Sequence, residues 1–323
     1  VPTALVLDGP CLGGPALTVG LVDIVTMTKR AELFVNAPEA SHRTTGTGTA
    51  TTDGFGGPWS HLSVSGVATS GADSVTDALA YVGDVLSFLP EHNQAPPPVL
   101  PSLDPADRPS AKAAQLVPES ARASYDVRDV IRDLVDDADF VELQPNFGGS
   151  ICVGLGRLAG QPVGILGNQP SQLAGALDID SSLKGARCVR WCDAFNLPLL
   201  TLVDTPGFRP GRDQEWQGIV RHGAKLAYAY AEATVPRASV VLRKAYGGAY
   251  IVMDCKSMGS DCTLAWPRSE IAVMGAQGAV EILHRRELGA LDDPTARREQ
   301  LEADYSVEHL SPRAALERGF VDE

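Results

Sequence analysis

No stretch of the 323 residues is long and apolar enough to cross a bilayer as a helix, although 44% of them are hydrophobic. A helical span needs about 20 consecutive apolar residues, so no membrane partner is expected. Positive charge is also scarce. The 27 Lys and Arg stand against 40 Asp and Glu, a formal net charge of −13. So acidic a chain repels a phosphate backbone, which removes nucleic acid from the expected partners but leaves room for a local basic pocket around one phosphorylated ligand. Metal spacing is lacking too. The six cysteines (Cys11, Cys152, Cys188, Cys192, Cys255 and Cys262) are irregularly placed. Cys188 and Cys192 stand one helical turn apart, yet no second pair or His cluster completes a tetrahedral set. They read as buried thiols of a reducing compartment, so a cytoplasmic location and no metal on this chain are expected.

What is present is a repeat. Val1-Pro2 is followed by Gly13-Gly14 with the same spacing that separates Val235-Pro236 from Gly247-Gly248, and an aliphatic run lies between them in each copy (Ala4 to Leu7; Ser239 to Leu242). Each Gly-Gly leads into a weakly amphipathic stretch and then an acid with a second apolar run, Glu32 to Val35 and Glu270 to Val273, the second copy carrying four more residues. The pattern predicts strand, Gly-rich turn, helix, strand, twice over. A Gly-Gly entering a helix leaves backbone N–H groups with no acceptor inside the helix. Such donors hold an oxygen on which charge develops during reaction. A single Gly-Gly is more simply a tight turn where a side chain would not fit. The matched offset in two places favours two half-sites, one for each of two reactants.

Asp77 to Leu89 has helical periodicity and stops at Pro90. Residues 91–118 then turn to Pro, Ala, Asp and Ser, including Pro96-Pro97-Pro98, a composition that suits a semi-rigid linker. The expected organisation is therefore a domain over 1–90, a linker over 91–118 and a second domain over 119–323, each with a core of its own. In the second domain the alternation is of the α/β type: a helix from Tyr125 to Val135, strands at Ile151 to Leu155 and Pro162 to Gly167, a helix from Ser181 to Phe195 with its cap at Asp180 or Ser181, a strand at Leu199 to Asp204, a helix at Ile219 to Ala233 and a strand at Ala238 to Leu242. A last helix runs over Ala314 to Phe320 and ends at Gly319. Pattern begins some way before Val235 but nothing precedes Val1, so further chain upstream, completing a first unit truncated at its N-terminus, is expected.

Several of these segments carry a resemblance. Asp204-Thr205-Pro206-Gly207-Phe208, Arg221-His222-Gly223-Ala224-Lys225, Arg243 to Tyr250, Ala265-Trp266-Pro267 and Ile271 to Ala276 resemble the carboxyltransferase (β) subunit of biotin-dependent acyl-CoA carboxylases, of the actinobacterial acetyl/propionyl-CoA type. The resemblance implies an α/β fold of tandem crotonase-like domains, hexameric assembly with active sites between subunits, and biotin carried on a separate carboxyl carrier protein beside a biotin carboxylase partner. It implies transfer of CO2 from carboxybiotin to the α-carbon of an acyl-CoA through an enolate, with no protein side chain as base. That agrees with the absence of a nucleophile–base constellation in the sequence.

By the same resemblance Gly13 and Gly14 would hold the thioester oxygen, Gly248 and Ala249 (with Gly247) the biotin ureido oxygen, and Ile251 would help select acyl length between acetyl- and propionyl-CoA. Ile251 reads equally well as a core residue after the turn. Pro15 departs from the Ala usual in the family and has no N–H to give. The family's Ser-Gly-Gly-Ala-Arg segment does not occur in these residues. His222, with Arg221 and Lys225, could approach a CoA phosphate or form a charged subunit face. His42 and His61 read as loop residues, and Asp178 and Asp180 as helix caps. Two other functions remain open: a decarboxylase or transcarboxylase of the same fold, and a non-catalytic scaffold in a mixed carboxylase complex.

Overall fold

The computed structural model describes residues 1–46, 52–110, 112–121 and 123–323. Its first unit contains β1 (Ala4–Leu7), β2 (Pro10–Leu12), β3 (Ile24–Thr28), β4 (Glu32–Phe34) and β5 (Ser70–Ala72). β3 is buried along its whole length between β1 and β5, parallel to both, as expected for a strand with no solvent face. β2 and β4 form a separate parallel pair. The second unit contains β6 (Val141–Leu143), β7 (Ile151–Leu158), β8 (Gln161–Asn168), β9 (Leu199–Thr205), β10 (Arg237–Tyr246), β11 (Cys262–Ala265) and β12 (Glu270–Ala272) in one sheet. β6, β7 and β8 are antiparallel neighbours, and from β8 through β9 to β10 the sheet is parallel, with β11 and β12 following one another along the far side of β10.

The repeat in the sequence is a repeat of registers. Ala4 pairs with Ile24 and Pro10 with Glu32 in the first unit; Ala238 pairs with Cys262 and Lys244 with Glu270 in the second. β1 and β2 thus correspond to the two halves of β10, β3 to β11 and β4 to β12. The additional residues of the second copy fall between its Gly-Gly helix and β11, where a short 3-10 turn, Lys256–Met258, is inserted.

Leu7, Val19, Val25, Met27 and Leu33 form a small core within the first unit, and a larger one is shared between the units. The largest buried cluster joins Ile24, Val82, Val85, Phe88 and Leu89 to Leu143, Ile151, Val153 and Leu155. The reason lies in the helix Val75–Leu86, capped by Ser74, which packs on the first sheet and whose Val82 and Val85 join Ile24 of β3 to residues of β6 and β7 in one cluster. Arg157 closes the seam by lying 3.9 Å above the Phe88 ring and donating to Ser87 O at 3.0 Å.

Among its described residues the segment 91–118 has one short helix, Ala113–Leu116, and it lies against the second unit. Leu100 N–H donates to Gly160 O at 3.1 Å, and Asn196 Nδ2 donates to Asn93 O and Ala95 O at 2.8 and 3.0 Å. Most expected elements fall within a few residues of their places. The long helix after β8 starts earlier than expected, at Ile179, because Asp178 and Ser181 form a reciprocal capping box and place Asp180 inside the first turn. Helix Ile219–Glu232 packs on Ile179–Ala194, and its Gly223 faces the Phe208 ring so closely that an added Cβ would sit 2.9 Å from it. Among the described residues no helix is long and apolar enough to cross a membrane.

Candidate active site

Each Gly-Gly is a bend between a strand and a short helix. Gly13 has φ 65° and Gly247 φ 57°, left-handed values that a side chain resists. At Gly247 space is limiting as well, since a Cβ would lie 3.1 Å from Val273 O. The two bends differ in the donors they leave free. In the first, Gly13 N–H is taken by Phe34 O at 3.1 Å, Ala16 N–H by Gly13 O at 3.1 Å, and Pro15 has none. Only Gly14 N–H has no acceptor among the described residues of that bend. In the second, Gly248 and Ala249 lie in the first turn of the helix Gly247–Val252, where an N–H has no acceptor inside the helix. Gly248 is exposed, with the Phe208 ring 3.6 Å from where its Cβ would be.

A cavity of about 640 Å³ opens beside the second bend, lined by Gly247, Gly248, Tyr250, Ile251, Val273 and Phe320 among others. Its surface is mainly apolar, and Lys256, Ser257, Tyr305, His309 and Arg318 add polar side chains to it beside the main-chain donors of the bend. Ile251 stands at the rim and is 47% exposed, outside the core. Burial pushes the Tyr250 hydroxyl well above its ordinary range, so it stays a neutral donor, 3.5 Å from Phe320 O.

Behind the bend lie charged groups whose side chains are almost completely buried. Asp204 accepts from Arg243 Nε at 3.0 Å and from the Lys244 main-chain N–H at 3.2 Å, and Lys244 Nζ is 3.8 Å away. Arg243 Nη1 also donates to Ser120 O and Ala123 O at 2.7 and 2.8 Å. Burial lowers the Lys244 ammonium from its usual range, and Asp204 acts against that. Tyr246 donates to Glu270 across the β10–β12 pair, immediately before Gly247.

His309 lines the cavity, whereas the histidines singled out in the sequence lie elsewhere. His222 is half-buried in the first turn of helix Ile219–Glu232, its pKa lowered by burial and then by Lys225 and Arg221. His61 braces a π-helical turn, with Ser65 Oγ and Leu33 O each 2.9 Å from its ring nitrogens. His42 lies in helix Pro38–Thr45 rather than in a loop. Among the described residues no three His, Cys, Asp or Glu side chains gather as a metal-binding group.

Two bends of one kind, set in matching registers, are a specific arrangement, and the carboxyl transferase domain matches residues 1–323 end to end. The chain belongs to the carboxyl transferase domain family. The propionyl-CoA carboxylase carboxyltransferase subunit of Haloferax mediterranei is 47% identical over all of this chain and 63% of its own length. The mitochondrial propionyl-CoA carboxylase beta chain of Homo sapiens is 44% identical over all of this chain and 58% of its own. Among solved structures, the transcarboxylase 12S hexamer core with methylmalonyl-coenzyme A and methylmalonic acid bound superposes with a TM-score of 0.95 at 41% identity, over 100% of this chain and 62% of that one. A single-chain, multi-domain long-chain acyl-CoA carboxylase gives 0.81 at 29% identity, over 100% and 31%. The chain thus spans about three fifths of the length of the carboxylase subunits it matches.

Within this carboxyl transferase chain, Gly247, Gly248, Ala249 and Ile251 come together around one bend, while Gly13 and Gly14 form a bend of their own in the other unit. Sequence reasoning assigned no role to Asp204, Arg243, Lys244, Tyr246 or Phe208. An acid ending a buried strand and an Arg-Lys pair inside another were the available signal, because such charges enter a sheet interior only when paired.

Proposed function

We propose that this chain is the carboxyltransferase portion of the β subunit of a biotin-dependent acyl-CoA carboxylase, built from two crotonase-like units and acting on propionyl- or acetyl-CoA. The pair of Gly-Gly bends in equivalent registers is the observation that carries the reading. The residues present suit a biotin ureido ring: the cavity beside Gly248 has room for it, its surface is mainly apolar, and the adjacent N–H groups of Gly248 and Ala249 lie in the first turn of a helix, where neither has an acceptor inside the helix. These two donors would hold the ureido oxygen. Carboxybiotin, brought by a separate carrier protein with its biotin carboxylase, supplies the carboxyl group and then the base.

At the first bend Gly14 N–H faces the acyl-CoA thioester oxygen and strengthens its hold as the α-proton leaves and the oxygen becomes anionic. Gly13 sets the bend, its own N–H being engaged with Phe34. Ile251, at the cavity rim, bounds the acyl chain, where one methylene is worth about 1–3 kcal/mol. The likeness to the transcarboxylase hexamer supports assembly as a homo-hexamer, in which one subunit's first unit would meet another's second.

The test is biotin-dependent decarboxylation of malonyl-CoA and methylmalonyl-CoA by the full-length protein. Gly248→Pro removes one donor at a helix first-turn position that accepts proline, and a drop in kcat of about 10²-fold or more is expected. Absence of turnover by a folded, CoA-binding wild type would overturn the reading in favour of a scaffold role.

A further inference from the structure

β10 does not pair with β9 along its whole length. From Arg237 to Val241 it follows Leu199 to Val203 residue by residue; the next pairing is Ala245 with Thr205. Three residues, Leu242, Arg243 and Lys244, therefore stand opposite one, Asp204. Such a bulge bends and twists a strand and leaves ladder groups unmatched. Here the unmatched groups have a partner, since the Asp204 carboxylate takes both Arg243 Nε and the Lys244 N–H. Asp204 is itself fixed: its N–H donates to Asn168 Oδ1 at 3.1 Å, Asn168 Nδ2 reaches Gly175 O at 3.4 Å, and the side chain has no exposure to solvent. Past the bulge β10 pairs with β12, and Tyr246 then leads into Gly247.

We propose that Asp204 is a positioning residue for the second bend: its carboxylate fixes the bulge at which β10 turns toward β12, and so the direction in which the Gly248 and Ala249 donors point. The first unit makes the same break by other means. Its strand is interrupted outright between Leu7 and Pro10, and the partly exposed Asp8 at the gap binds Thr28 Oγ1 at 2.6 Å and Arg30. Among the described residues, the carboxylate beside the first bend is thus partly exposed and the one beside the second is fully buried.

The proposal rests on the carboxyltransferase reading, and the experiment separates the two. In the full-length protein Asp204→Asn is expected to lower kcat for biotin-dependent malonyl-CoA decarboxylation at least tenfold, with KM for malonyl-CoA within twofold of wild type, because acyl-CoA is held at the other bend. Amide exchange should accelerate over residues 242–252 while helix Ile179–Ala194 keeps its protection. If the single variant does not fold, Asp204→Leu with Arg243→Met removes the carboxylate together with its nearest buried cation, which cores tolerate better than breaking that pair by halves, and the same kinetic split is expected. Wild-type kcat in either folded variant, or exchange that rises equally throughout the chain, overturns the proposal. An inactive wild type sinks the carboxyltransferase reading alone, since exchange still reports whether Asp204 holds the bulge.

Discussion

At the scale of single residues, the chain concentrates conformational and electrostatic cost in a few places around the second bend. Gly247 has left-handed backbone and a carbonyl 3.1 Å from where a Cβ would be. Gly247→Ala is expected to destabilise by about 1–2 kcal/mol, the usual cost of a Cβ in that conformation, seen as a lower urea midpoint at unchanged m-value. Asp254, which follows the helix after this bend, is buried beside Arg237, and burial outweighs the guanidinium to push its pKa up to about 6. A carboxyl raised above its unfolded value stabilises most when protonated. Its contribution is full below about pH 4 and fades as pH rises through about 6. Urea titrations at pH 4 and pH 6.5 should show that loss in wild type and a flatter dependence in Asp254→Asn.

At the scale of elements, what the sequence disclosed depended on whether the signal was local. Helix Ile219–Glu232 and the long apolar strands β7 and β8 were legible because periodicity and composition are written in consecutive residues. The start of Ile179–Ala194 was missed because Asp178, Asp180 and Ser181 all satisfy a cap rule, and only the fold shows which oxygen meets which N–H. The bulge in β10 was not legible, being a relation between two strands distant in sequence. The Gly-Gly bends were legible through their repetition, whereas the loss of Gly13 as a donor was not, since its acceptor, Phe34 O, lies on another strand. The two bends also differ at the residue after Gly-Gly, Pro15 in one and Ala249 in the other. Pro15→Ala adds an N–H to the first bend, and a rise in kcat for decarboxylation, up to about 10²-fold, is expected if that donor reaches the thioester oxygen. A kcat that does not change would place the oxyanion on Gly14 alone.

At the scale of the whole molecule, the largest core cluster spans both units, beside the small cluster within the first, and couples their stability. Phe88 is 1% exposed in the cluster that joins them, so Phe88→Ala is expected to cost about 3–5 kcal/mol and to lower a single calorimetric transition rather than split it. Residues 1–90 expressed alone lose the surface against which Val82, Val85, Phe88 and Leu89 are buried, and circular dichroism should show them largely unfolded. Composition gave no warning of this, because a Pro-rich stretch between two patterned halves usually separates cores.

The insertion after the second Gly-Gly helix has a consequence in terms of descent. Paired residues of β1 and β3 are 20 positions apart, those of β10 and β11 are 24, and the difference lies in residues 253–261. Cys255, Lys256 and Ser257 of that stretch line the cavity. If the halves arose by copying one ancestral unit, this is where the copies ceased to be interchangeable: the inserted residues gave one of them a wall, and with it a reactant of its own.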